Sequence, residues 1–390
     1  MDNIDFNKNL NISYVDENTP EPSKSLILKH CICSSIIYIF MYLLLLTNPF
    51  FNKHFNLIMK SMFEFALISY ILLAPIIYLK FKPKTVYKSH SIEVFNYIKR
   101  ILKINWKDSS PNNILKSLEP TYYEKQSVML FFIKFFFGTI MTYSLIQNLT
   151  TITNLLIFLK KIFLNISNFD FYTLKYLITR YSTQFYRLII LVLFAIDLAY
   201  FVFGYLTECS FLKNKIRAVE TSFLGIFFCL ACYPPFNHST TTILGWNQSN
   251  MATAFNDPTS ALTWSFRIIA LVFLVLYVAA SIALGTKASN LTNRGIVSKF
   301  PYNSVRHPAY ISKNIFWLLT TIPLLLVNFN SSSFILHKYL IHVFLVFCTF
   351  IFWCGIYYFR AIYEEKFLLQ DPEYQEYVKK VKYRFIPYII

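Results

Sequence analysis

The chain has 390 residues, of which 55% are hydrophobic, 19% aromatic and only 15% charged. Soluble domains carry about 25% charged residues, so this composition excludes a water-soluble globule and points to an all-α integral membrane protein. The formal charge of +17 would suggest nucleic acid in a soluble protein, but here Lys and Arg sit in loops, where the positive-inside rule accounts for them. No nucleic-acid-binding module accompanies them, so nucleic acid is not an expected partner.

In chain order, residues 1–25 are polar and mildly acidic, with Asp2, Asp5, Asp16, Glu17 and Glu21. They lack the basic n-region and short apolar core of a signal peptide and read as a flexible cytoplasmic tail. Apolar runs follow near 28–47, 61–80, 127–147, 187–206, 218–236, 263–285, 314–328 and 338–358. They predict about eight transmembrane helices. The loop 82–125 carries Lys82, Lys84, Lys88, Lys99, Arg100, Lys103 and Lys107. Lys213, Lys215 and Arg217 mark a second basic loop, and Lys287, Arg294, Lys299, Arg306 and Lys313 a third. The loop 237–262 has one acid, Asp257, and no Lys or Arg. This pattern places both termini in the cytoplasm. One stretch disagrees. Residues 150–186 fall outside by alternation yet hold Lys160, Lys161, Lys175 and Arg180. Leu155, Leu156, Leu159, Ile162 and Phe163 repeat there at helical spacing, which fits an amphipathic helix in the interface, a re-entrant segment or a span count wrong by one.

Seven cysteines fall mostly within apolar runs. Cys229 and Cys232 form a lone Cys-x-x-Cys without the second ligand pair that zinc requires, so no metal is expected and they read as packing residues. Asp197, Glu208 and Glu220 are acids in or beside the fourth and fifth runs and are functional candidates by default in a membrane. They keep a transporter or scaffold open as a non-enzymatic reading, although the paired broken helices and internal repeat of transporters are missing.

The chemistry gathers in the last ninety residues. One cluster is Phe300-Pro301-Tyr302-Asn303-Ser304-Val305-Arg306-His307-Pro308-Ala309-Tyr310. Pro308 biases His307 away from helical dihedrals and favours a helix start at Pro308 itself. The amides of that start and Arg306 would together face an anion. The second cluster runs from Arg360 through Glu364 and Glu365 to Tyr374, Tyr377 and Arg384-Phe385-Ile386-Pro387. Arg360 and Glu364 share a helix face, either as a juxtamembrane ion pair or as part of a site, while Glu365 is turned about 100° away. Asp371-Pro372 breaks the helix and a short amphipathic helix follows. The two clusters flank a short helical hairpin, so topology alone returns them to one membrane surface.

Arg306-His307-Pro308-Ala309-Tyr310, Glu364-Glu365 with Leu368, Tyr374 with Tyr377, and the closing Arg-Phe-Ile-Pro resemble the isoprenylcysteine carboxyl methyltransferase family. The wider group includes phospholipid N-methyltransferases. The resemblance covers roughly residues 284–390, about a quarter of the chain. It implies a catalytic domain over 261–390, ending in a helical hairpin and cytosolic tail, with residues 26–260 as transmembrane helices of unassigned role. It also implies S-adenosylmethionine as cofactor and a lipidic or lipid-anchored acceptor, methylated at a carboxylate or an amine. Carried over position by position, Tyr302, Arg306, His307, Tyr310, Glu364 and Tyr377 fall on the cofactor side, and Arg360 and Glu365 are the catalytic candidates. An amine acceptor would need a base, for which Glu365 or His307 is the candidate. The chain departs from the family at Phe300, where a Gly is frequent, and after Tyr310, where Ile311-Ser312-Lys313-Asn314 replaces a small residue. A sterol- or steroid-type reductase using NADPH resembles the same layout and stays open as the alternative. Lys-, Asn-, Ile- and Phe-heavy usage with few Gly suggests a bacterial inner-membrane protein with the site toward the cytoplasm.

Overall fold

The computed structural model describes residues 19–104, 111–164, 170–208, 211–246, 255, 257–329 and 336–388. The chain is helical almost throughout, and six of its described helices are long and apolar enough to cross a membrane. It divides into two compact units, Met1–Thr139 with Ile216–Thr221, and Ile140–Lys215 with Ser222–Ile390. The unit bearing the C-terminal clusters therefore begins at Ile140, well before the expected domain start at 261. The expected cytoplasmic tail, residues 1–25, lies mostly outside the described residues.

In the first unit, α1 (Lys24–Thr47) packs on α2 (Leu57–Phe81) and on α3 (His90–Leu102). Ser23, Asn56 and Ser89 accept hydrogen bonds from the amides of Leu26, Met59 and Ile92, satisfying donors that a helix start leaves open. Ile27, Cys31 and Val86 form a small core. On α2, Leu57, Phe65, Leu72 and Ile76 are all more than 60% exposed. A helix that is apolar all round and uncovered by protein fits a lipid surround.

Helix α4 (Tyr122–Leu164) is 43 residues long and joins the two units in sequence. The amphipathic stretch expected at 155–163 is its continuation. The amphipathic reading applies instead to α5 (Phe171–Arg180), capped by Asp170, whose carboxylate accepts from the Thr173 amide. Next come α6 (Ser182–Leu206) and α7 (Phe223–Leu230). The expectation of a fifth span over 218–236 is corrected here. Ser222 starts α7 by accepting from the Gly225 amide, and the chain turns at Ala231. Eight residues rise only about 12 Å, far short of a hydrocarbon core of about 30 Å.

The second unit also contains α8 (Ala261–Leu284), α9 (Pro308–Phe329), α10 (Leu336–Leu368) and α11 (Pro372–Lys380). Its core is aromatic, with Tyr186, Phe316, Trp317, Trp353 and Tyr357 buried among Ile190 and Leu274. The Trp246 indole N–H donates to Thr321 Oγ1 at 2.7 Å, so burial of that polar edge carries no desolvation cost. Helix α10, with 33 residues, is about 50 Å long and exceeds a hydrocarbon core of about 30 Å.

The connection from α8 to α9 is held by buried polar bonds. Arg294, 4% exposed, donates to the backbone oxygens of Gly204 and Asn214, both at 2.7 Å. Two of the basic residues counted as loop charges thus point inward, since Lys313 is also packed over the Tyr277 ring. Gly204 is required by contact. A Cβ there would sit 1.9 Å from the Ala288 carbonyl oxygen. Gly204→Ala should therefore cost ~1–3 kcal/mol, the usual penalty for overpacking, and lower the unfolding temperature in detergent. An unchanged melting curve would show that the α8–α9 connection does not rest on α6.

Candidate functional site

Folding brings residues 306–310 and 360–365 together through Glu365. Its Oε1 accepts from Arg306 Nε at 2.8 Å, His307 Nε2 at 3.0 Å and Arg384 Nε at 3.0 Å. Its Oε2 accepts from Arg384 Nη2 at 2.9 Å. Glu365 is 5% exposed, and a buried carboxylate is tolerable only when paired and hydrogen-bonded to this degree. Arg306 Nη1 donates in addition to the carbonyls of Val381 and Lys382. The Arg306 and His307 amides donate to the carbonyls of Tyr383 and Arg384, both at 2.9 Å. The C-terminal tail thus folds back along the Arg-His-Pro loop. The guanidinium of Arg384 is held above its usual pKa by the hydrogen bonds it donates to Glu365, so it keeps its charge across physiological pH.

This network reassigns two predicted residues. Glu365, expected as a catalytic residue, does not line the cavity; its carboxylate accepts four hydrogen bonds that join loop and tail. Arg306 does line the cavity, but its Nε and Nη1 groups are committed to Glu365 and the tail, not to a bound anion. The helix start at Pro308 forms as expected, yet the Tyr310 and Ile311 amides already donate to the His307 carbonyl.

A cavity lies behind the clasp. Tyr302, His307, Tyr310, Arg360, Glu364 and Tyr377 all line it. Glu364, one position and about 100° around the helix from Glu365, faces this space with its side chain 42% exposed. The Tyr310 hydroxyl donates to Glu364 Oε2. The His307 ring stacks on Tyr310 with centroids 5.0 Å apart, and its Nδ1 lies 3.9 Å from Glu364 Oε2. The Tyr377 hydroxyl donates to the Tyr302 carbonyl at 2.6 Å, fixing α11 to the loop. Burial pushes the phenols of Tyr302 and Tyr377 above their ordinary pKa, so both remain neutral rings at physiological pH.

Arg360 forms no ion pair with Glu364, although their spacing allows one. Buried at 7% exposure, it donates from Nη2 to Asn290 Oδ1 at 2.8 Å. Its guanidinium lies 4.9 Å from the Tyr310 ring centroid and 5.5 Å from that of Tyr233, within cation–π range. The Tyr233 side chain also pairs with the guanidinium, so Arg360 is a buried, oriented cation at the cavity wall.

Sequence reasoning missed the residues that support this arrangement. Asn290 accepts from Arg360 and donates from Nδ2 to the Tyr233 hydroxyl at 3.0 Å. Asn293 donates to Asp371 Oδ2 at 2.8 Å, tying the loop to the carboxylate that also accepts from the Glu373 amide at the start of α11. The available signal was the polar run Ser289 to Gly295 directly after an apolar span.

Glu365→Gln should destabilise the clasp by ~3–5 kcal/mol, the cost of breaking a buried ion pair by removing one partner. Limited proteolysis would then cut within 381–388 far faster than in the unaltered protein, whereas Glu364→Gln should leave the tail protected. Equal protection in both variants would remove the positioning role from Glu365. Comparison of the chain with protein-family models, curated proteins and solved structures finds no match.

Proposed function

We propose that the protein is a membrane-embedded S-adenosylmethionine-dependent methyltransferase that O-methylates a carboxylate on a lipidic or lipid-anchored acceptor, with its site toward the cytoplasm. The observation that carries the reading is the single cavity formed by the Arg-His-Pro loop and the acidic end of the last long helix, the two pieces of the family resemblance. The residues present suit the cofactor. Glu364 is a half-exposed carboxylate at the cavity wall, placed for an ammonium or ribose hydroxyls. Tyr302, Tyr310 and Tyr377 offer neutral ring faces for adenine. The cavity, about 150 Å³, is smaller than the ~300–1,000 Å³ typical of small-molecule sites, so cofactor binding requires it to widen.

When bound, S-adenosylmethionine supplies an electrophilic methyl group on a sulfonium. The chain's own part is alignment and exclusion of water. Arg360, a buried cation lining the cavity, orients the acceptor carboxylate. Such an acceptor is already a nucleophile, so no general base is needed, consistent with a Glu365 that lies outside the cavity. Joining an anion to a cation neutralises charge, which a desolvated site favours, and most of the acceleration comes from holding the reacting atoms in line. Glu365, with Arg306, His307 and Arg384, holds the loop that presents Tyr302 and Tyr310.

Isothermal calorimetry should detect S-adenosylmethionine binding to the purified protein. Glu364→Gln should weaken it about tenfold or more, in keeping with ~1.5–3 kcal/mol for a hydrogen bond to a charged group. Arg360→Met should lower turnover on a membrane lipid extract with labelled cofactor while changing cofactor affinity little. Absence of binding, or displacement by NADPH but not by S-adenosylhomocysteine, would reject the methyltransferase in favour of the reductase.

A further inference from the structure

A second cavity, about 410 Å³, adjoins the first, and its size falls within the ~300–1,000 Å³ typical of small-molecule sites. Phe201, Tyr233, Tyr277 and Lys313 line both. From that shared wall the second cavity follows α6 from Phe201 to Leu191, ten residues or about 15 Å of helix. Phe194, Leu198 and Trp317 give it an apolar lining. Polar groups, among them Ser144, Asn148 and Asp197, share the lining with these apolar ones, and the wall held in common sets the cavity beside the polar site.

Two polar groups in its wall are incompletely hydrogen-bonded among the described residues. Lys313 lies with Nζ 5.5 Å from the Tyr277 ring centroid, is attracted by the Asp197 carboxylate and makes no direct hydrogen bond among the described residues. Nearby Asp197 is already occupied, accepting from the Tyr277 hydroxyl at 2.7 Å and from the Ser281 hydroxyl. Asn148, 4% exposed, has a buried Oδ1 with no donor. An unsatisfied buried polar atom is costly, and the arrangement makes physical sense if a ligand supplies what is missing.

We infer that this chamber holds the methyl acceptor, a single-chain fatty carboxylate whose chain lies along α6 and whose carboxylate meets Lys313 at the shared wall. The inference rests on the methyltransferase reading for the identity of the reaction. From Lys313 the carboxylate passes to Arg360, which packs over Tyr233 on the same wall. There a new O–CH3 bond forms as the methyl–sulfur bond breaks. The electron pair stays on sulfur, and the products are a methyl ester and S-adenosylhomocysteine. Asn148 accepts from a hydroxyl or amide N–H carried along the chain.

The test uses tryptophan quenching by 9,10-dibromostearate, its methyl ester and a dibrominated phosphatidylglycerol, on the full chain in neutral detergent. The acid should quench saturably, at least tenfold more tightly than the ester or the phospholipid, and Trp317→Phe should remove most of the signal. Lys313→Met should bring the acid to the level of the ester, Lys313→Arg should keep its advantage, and Ser144→Phe should block quenching while S-adenosylmethionine still binds. Equal quenching by acid and ester, quenching by the phospholipid as tight as by the acid, or quenching indifferent to Lys313→Met and Ser144→Phe, would overturn the assignment. Acid-selective quenching in a protein that does not bind S-adenosylmethionine would retain the chamber and discard the methyltransferase. Cofactor binding without acid-selective quenching would do the reverse.

Discussion

Glu365 is the point through which the C-terminal architecture closes. A carboxylate this buried is stable only with its charge balanced and its lone pairs filled, and the chain supplies three cationic or potentially cationic side chains from two segments far apart in sequence. Arg306 and His307 come from the loop before α9, and Arg384 from the tail after α11. Satisfying one anion thereby fixes loop, helix end and tail against each other, and backbone pairing of 306–307 with 383–384 reinforces the join. The cavity exists because these pieces are held apart on one side and together on the other. The two glutamates are consequently distinct in position: Glu365 joins loop, helix end and tail, and its neighbour Glu364 faces the cavity.

Much of the candidate site was legible in the sequence because its residue types are expensive in a membrane protein. Arg306-His307-Pro308 and Glu364-Glu365 stood out against apolar surroundings, and a short hairpin had to return them to one surface. The division of labour between the two glutamates was not legible. Helical geometry states that they face about 100° apart, but not which direction holds the tail. Arg360 shows the same limit. The i, i+4 rule permits its pairing with Glu364, yet the Asn290 amide and three tyrosine rings take the guanidinium instead. Asn290 and Asn293 lay unnoticed in a loop read only for its charge.

The membrane-protein class was legible from composition, while the span pattern was only partly so. An apolar run near residues 218–236 satisfies a hydropathy window, but the Ser222 cap and the turn at Ala231 limit it to eight helical residues. The turn that ends this helix also brings Tyr233 into the wall shared by the two cavities. Conversely, the run at 127–147 belongs to one helix of 43 residues that absorbs the stretch expected to lie in the interface. Hydropathy measures what tolerates lipid. Capping and tertiary hydrogen bonds decide where helices start and stop.

The most direct test of the shared cavity as a cofactor site is photolabelling with an azido-adenine analogue of S-adenosylmethionine, followed by mapping of the modified peptides. Label confined to peptides containing Tyr302, Tyr310 or Tyr377, and competed away by S-adenosylhomocysteine, is the predicted outcome. Label elsewhere in the chain, or label that excess S-adenosylhomocysteine leaves unchanged, would contradict it.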